Sequence, residues 1–226
     1  MQRRWAGGIS YVMESFQSGS VAIDMEQQEP ATSGRHPGLL LLHGSGGAGA
    51  YWMNSFAPTL TRFGVAAYAP HYLQKTGSQR ATPEMILDGK HFPSWLGAIR
   101  DAVSYVAARP AIDARRIGVL GVSLGGYLAM ALAMEDRRLR AVVELSGGLP
   151  PGWEDRVSPA MPPVLILHGA NDSVVPVSEA YKLQKLLQQR QVPCEMEIFP
   201  GEGHWFSAGS QARMLMAIAG FLGRRL

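Results

Sequence analysis

The sequence predicts an α/β fold, a mostly parallel central sheet with helices on both faces. Three observations carry that expectation. Six short runs, GLLLLHG (38–44), GVAAYAP (64–70), IGVLGVS (117–123), AVVELSG (141–147), VLILHGA (164–170) and CEMEIFP (194–200), read as strands, GLLLLHG as one buried on both faces. Stretches of helical spacing lie between most of them, which is the alternation of a parallel sheet with crossover helices. The chain has 226 residues, 46% of them apolar and 17% charged, the balance of one compact domain.

Element by element, the chain opens with two strands, ISYVMESFQ (9–17) and SVAIDMEQQ (20–28), joined by a turn at Ser18-Gly19-Ser20. Residues 1–12 are expected to be dispensable. A polar loop with Pro30, Gly34 and Pro37 follows. A helix is expected near 51–63, stopped by Gly64, and another over 94–108, ended at Arg109-Pro110. LGGYLAMALAM (124–134), VSEAYKLQKLLQQR (177–190) and residues 207–222 supply the remaining helices. Two stretches, His71–Pro93 and Leu149–Pro163, show no period and are expected as loops beside the site. A single domain spanning 1–226, with no separate cap domain, accounts for all of this.

Composition narrows the function classes. The net charge is +3, and the Arg pairs are scattered rather than clustered, so no nucleic-acid footprint is present. Cys194 is the single cysteine, which removes intrachain disulfides. The basic start MQRRWAGGIS lacks a following apolar core, and Leu39–Leu42 is too short to span a bilayer. A cytoplasmic protein with no membrane partner is expected. No His or Cys pair has metal-ligand spacing, so neither metal nor other cofactor is expected.

The chemistry is carried by Gly121-Val122-Ser123-Leu124-Gly125, a G-x-S-x-G pattern where an apolar strand meets a helical segment. This strand–turn–helix setting is what the nucleophile elbow of an α/β-hydrolase requires, so the expected fold is the α/β-hydrolase fold with Ser123 as nucleophile. A serine that only caps the helix is the plainer alternative. Serine needs a base, and the base an orienting acid, in the chain order Ser, Asp or Glu, His. Asp172 follows VLILHGA and His204 follows CEMEIFP, each just past a strand's carboxyl end, where ligands bind in such sheets. Glu202 is the competing acid. Two backbone N–H groups are expected to form the oxyanion hole. One is that of Leu124; the other is that of Ser45, with Gly46 as alternative, in the loop His43-Gly44-Ser45-Gly46-Gly47.

The other histidines read more plainly: His43 and His168 as loop-fixing, His71 as a pocket residue, His36 and His91 as exposed. Tyr51, Trp52, Tyr72, Trp153 and Trp205 are candidates for an apolar substrate pocket. Glu144, a carboxyl inside an apolar strand, needs a partner or a pocket edge, and the sequence does not choose between them.

GVSLGGYLAM, HGANDSVVP, FPGEGHWF and LLLLHGSGG together resemble the dienelactone hydrolase family over about residues 20–224. That resemblance implies hydrolysis of esters or lactones through an acyl-enzyme, without a cofactor, by Ser123, Asp172 and His204. Two departures stand out. The name-giving members carry Cys where this chain has Ser123. They also carry an Arg shortly after the base, where this chain has Ala208. The serine form resembles a carboxylesterase, with a peptidase or amidase of the prolyl-peptidase type as the second reading. A catalytically silent binding module on this fold is the third; it would have lost one of the three residues, and none is lost. The substrate is expected to be a small ester or lactone, and the oligomeric state is not legible.

Overall fold

The computed structural model describes residues 2–4, 10–47 and 56–226. The chain forms two compact units, residues 1–117 and 118–226.

The first unit holds β1 (Gln2–Arg4), β2 (Ser10–Ser18), β3 (Val21–Gln28), β4 (His36–Leu42) and β5 (Ala66–Pro70), in the order β1-β2-β3-β5-β4. β1 to β3 pair antiparallel, as does β3 with β5, while β4 and β5 run parallel. The leading residues, expected to be dispensable, therefore contribute a strand, with Gln2 opposite Val12. Leu39 to Leu42 are all buried, which is why this run reads as continuously apolar. Helix α1 (Ala57–Arg62) precedes β5, and Gly64 at φ 76° turns the chain between them.

The stretch 71–93 is more ordered than expected. It contains a 3₁₀ turn (Tyr72–Thr76), helix α2 (Pro83–Leu87) and the start of α3 (His91–Ala107). Thr82 caps α2 by accepting the Met85 N–H, and the Asp88 carboxylate accepts the Lys90 and His91 N–H groups ahead of α3. Helix α3 begins three residues earlier than the spacing predicts. Pro93 lies in its first turn, where a missing N–H costs no helical bond. Trp95 is fully buried and donates its indole N–H to Thr76 Oγ1, tying α3 to the 3₁₀ turn. His36, expected to be exposed, is instead buried, its Nε2–H donated to the Thr32 carbonyl.

The second unit contains the end of β6 (Ile112–Val122), then α4 (Leu124–Glu135), β7 (Leu139–Leu145), a 3₁₀ turn (Glu154–Arg156), β8 (Val164–Gly169), α5 (Ser178–Gln189), β9 (Cys194–Phe199) and α6 (Ala208–Gly223). Its strands are ordered β6-β7-β8-β9, and β7, β8 and β9 pair parallel in register, Leu145 opposite Leu167 and Gly169 opposite Phe199. β6 starts five residues before the predicted run, because its leading residues Asp113, Arg115 and Arg116 are polar. Asp113 accepts from both Arg115 and Arg116 there. Ten of the twelve residues of α4 are buried, so this helix is apolar all round rather than striped. Among the described residues, no helix is long and apolar enough to cross a membrane, and no group of three or more His, Cys, Asp or Glu is placed to hold a metal ion.

Candidate active site

The carboxyl ends of β6, β7, β8 and β9 lead directly into Ser123, Ser146-Gly147, Asp172 and His204. Ser123 stands between β6 and α4 at φ 55°, ψ −121°, in the left-handed half of backbone space. Three backbone bonds pin it there: its N–H is donated to Leu145 O (2.9 Å), and its carbonyl accepts the N–H groups of Gly126 (2.8 Å) and Tyr127 (3.2 Å). It makes no side-chain capping bond, so the cap alternative fails: a capping serine would accept from the first turn of the helix. Leu124 is the first residue of α4, and its N–H has no acceptor within the helix.

The turn is so tight that Gly121 has no room for a side chain. A Cβ there would lie 1.9 Å from Gly125 O and 2.8 Å from Gly126 N, both backbone atoms. Gly121→Ala is expected to leave no soluble folded protein, or to lower the melting temperature by about 10 °C or more. A thermal melt of the variant decides it.

Asp172 and His204 are brought together. His204 Nδ1 lies 2.8 Å from Asp172 Oδ2, and both residues are buried. A carboxylate only accepts, so the proton sits on Nδ1 and leaves the Nε2 lone pair open. The carboxylate is fully engaged. Its Oδ1 accepts the Val174 and Val175 N–H groups (2.8 and 2.9 Å), and its Oδ2 also lies 3.3 Å from His168 Nε2. His168 donates that same Nε2–H to Val175 O (2.9 Å). It thus fixes the loop as expected, and also touches the acid, which the sequence did not reveal. Ser123 and His204 are not hydrogen-bonded to each other.

Glu202 is removed as the rival acid. Its carboxylate accepts the Ser207 N–H and the hydroxyls of Ser207 and Ser210, bonds that hold its pKa below the usual range. It serves the start of α6 rather than His204.

In the first unit, the loop after β4 is braced from behind. Tyr72 stacks on His43, with centroids 4.2 Å apart and planes 9° from parallel, and donates its hydroxyl to His43 O at 2.6 Å. Tyr72 is fully buried by these contacts, so the structure corrects its expected role from pocket wall to loop support. Burial holds the His43 pKa down at about 4, and its Nδ1–H is donated to Gly44 O. Ser45 O accepts the Ala81 N–H, and Gly47 packs so tightly that a Cβ would meet Gln79 O at 2.1 Å. His71 lines a cleft of about 250 Å³ in this unit, together with His43, Leu73, Gln74, Ser78 and Gln79.

Of the remaining pocket candidates, Tyr51 and Trp52 lie outside the described residues. Trp153 is half-buried, with the Arg156 guanidinium 3.9 Å from its ring centroid. Trp205 is 69% exposed and meets the His204 ring edge-on at 5.3 Å.

Glu144 is fully buried on β7. Its Oε1 accepts the Gly147 N–H at 2.5 Å, and its Oε2 has no partner. Burial pushes its pKa up from the ordinary 4.5 to about 8, the Gly147 N–H opposing and the nearby Asp172 charge adding to the rise. Between those two values the unfolded chain releases this proton and the folded chain keeps it, so stability falls as pH rises, by at most about 1.4 kcal/mol per pH unit. Glu144→Gln removes that dependence. Its melting temperature relative to the wild type is expected to improve from pH 5 to pH 8; a constant difference would contradict a buried neutral acid.

The sheet order, the turn at Ser123 and the Asp172–His204 pair define an α/β-hydrolase. The sequence profile of the dienelactone hydrolase family matches residues 23–219, and the chain belongs to that family. Among solved structures, a dienelactone hydrolase-like promiscuous phosphotriesterase from metagenomic libraries superposes with a TM-score of 0.83 at 19% identity, covering 95% of this chain and 98% of that one. A puromycin-hydrolysing peptidase of Mycobacterium tuberculosis gives 0.78 at 22% identity, over 96% of this chain and 39% of that one. The quorum-quenching protein AidA of Acinetobacter baumannii is 30% identical over 128 residues, 57% of this chain and 41% of its own length. The matched stretches span less than half the length of the curated relatives.

Proposed function

We propose that the protein is a serine hydrolase that cleaves carboxylic ester or lactone bonds through an acyl-enzyme. The observation that carries this reading is the 2.8 Å contact between His204 Nδ1 and Asp172 Oδ2: a carboxylate acceptor holds the ring proton on Nδ1 and leaves Nε2 as the acceptor. Nε2 takes the Ser123 proton as Oγ bonds to the substrate carbonyl carbon. The N–H group of Leu124 receives the oxygen as it becomes negative. The imidazolium then returns the proton to the departing alkoxide, and the C–O bond breaks. Water repeats the sequence on the acyl-enzyme and frees Ser123. Ser123, carrying an oxygen nucleophile where the name-giving members use sulfur, suits a carboxylesterase, and Ala208 leaves no cation after the base to bind a substrate carboxylate. A cytoplasmic, metal-free enzyme acting on small molecules completes the proposal.

Among the described aromatic candidates, Trp205 is the one exposed directly beside His204. Trp205→Ala is expected to raise KM for aryl esters by about 3- to 30-fold while changing kcat little, the result of losing apolar contact without touching the chemistry. A series of p-nitrophenyl esters of increasing acyl length, run with both proteins, measures this. An unchanged KM across the series would remove Trp205 from the binding surface.

The likeness to peptidases favours a second reading, because the same acyl transfer accepts an amide. Peptide p-nitroanilides turned over faster than the matching esters would select it.

A further inference from the structure

The fully buried Glu144 has no role in the acyl-transfer steps above, yet it lies directly behind the nucleophile turn. Its Oε1 is wedged between two glycines from different segments. A Cβ on Gly126, in the first turn of α4, would lie 2.9 Å from it, and a Cβ on Gly147, in the loop after β7, 2.6 Å. The same Cβ on Gly147 would lie 2.8 Å from Ser123 O. One carboxyl head thus fills the space between the helix that follows Ser123 and the loop that backs the Ser123 carbonyl. Ser146, at φ 51°, begins that loop, with its N–H donated to Leu167 O.

We propose that Glu144 is a positioning residue for Ser123: its carboxyl head, held by the Gly147 N–H, locks the loop after β7 against the first turn of α4 and so keeps the nucleophile turn in its strained conformation. The inference rests on the reading of Ser123 as nucleophile. The head does this as a neutral acid. Of the ionisable groups on the elements around it, Tyr127 of α4 and Asp172 beyond β8 are the ones close enough to interact with it. Tyr127 and Asp172 act on it electrostatically and both are acids, so neither stabilises a negative charge there. Ionisation would place a carboxylate with one N–H donor in a dry space near a second carboxylate, a costly arrangement that pushes the wedge apart.

The test compares wild type, Glu144→Gln, Glu144→Ala and a Ser123→Ala control in p-nitrophenyl ester turnover, fluorophosphonate labelling rate and infrared difference spectra. Glu144→Ala, which empties the wedge, is expected to lower kcat and the labelling rate together by about ten- to a hundredfold, with KM nearly unchanged. Glu144→Gln keeps the acceptor and the neutral charge, so it is expected to stay within about threefold of wild type at pH 7. It should also lose the activity decline expected of wild type above about pH 8, where burial no longer keeps Glu144 protonated. A protonated-carboxyl carbonyl band should appear at neutral pH in wild type and be missing from Glu144→Gln. Full kcat and labelling in Glu144→Ala, or an identical alkaline decline in Glu144→Gln, or no such band, overturns the inference. If Glu144→Ala fails to accumulate, the Gln variant decides through its pH profile and the band. A wild type that does not label at Ser123 brings down the nucleophile reading itself, whereas normal labelling with unaffected Glu144 variants overturns this inference alone.

Discussion

Replacing Ser123 with alanine is expected to lower kcat for short p-nitrophenyl esters by about four to six orders of magnitude while leaving the fold intact. The size follows from what remains: oxyanion donors and binding contacts still act on the substrate, but no oxygen is left to form the acyl-enzyme. The survival of the fold follows from the local bonds. Ser123 holds its place through its N–H and carbonyl, to Leu145, Gly126 and Tyr127, and makes no side-chain cap for α4. Alanine preserves all three backbone bonds and meets the same strain at φ 55°. The melting temperature should therefore move by no more than the equivalent of about 1 kcal/mol. Fluorophosphonate labelling should vanish in the variant. Turnover equal to wild type would end the serine-hydrolase reading, and a fold lost together with activity would show that the hydroxyl is structural.

Most of the sheet was legible because parallel strands buried on both faces leave continuous apolar runs, as in Leu39–Leu42 and Val164–Leu167. The less legible segments were those where polar residues take part in regular structure. Asp113, Arg115 and Arg116 extend β6 through their own ion pairs, and Pro93 enters α3 because the first turn needs no N–H. At the site, residue order and strand-end position pointed to Ser123, Asp172 and His204 before any geometry. Sequence spacing could not foresee Tyr72 as a buried brace, since an aromatic after a strand end looks the same whether it faces a pocket or a neighbouring loop. Glu144 was visible as an anomaly, a carboxyl amid Val142, Val143 and Leu145. Its purpose depends on Gly126 and Gly147, which meet only in the folded chain.

The Asp172→Asn substitution tests the orientation of the base more sharply than deletion does. The amide that replaces the carboxylate has a single carbonyl oxygen, and two backbone N–H groups, those of Val174 and Val175, require an acceptor at the Oδ1 position. That oxygen stays there, since leaving the buried Val175 N–H and the part-buried Val174 N–H unpaired costs more than a rearrangement of the histidines. The amide NH₂ then occupies the Oδ2 position and faces His204 Nδ1 and His168 Nε2. Donating to Nδ1, it drives the His204 proton onto Nε2, the atom that must accept from Ser123. The base is present, correctly placed and in the wrong tautomer. A loss of about 10⁴ in kcat is expected, with little change in KM because no substrate contact is altered. Nitrogen-15 NMR of the histidine rings checks the cause directly: in wild type His204 should carry its proton on Nδ1, in the variant on Nε2. The effect should not add to that of Ser123→Ala, because both remove the same step. A loss below tenfold would mean that His204 is oriented by something other than Asp172. Glu202 would not fill that role, because its carboxylate is already committed to Ser207 and Ser210.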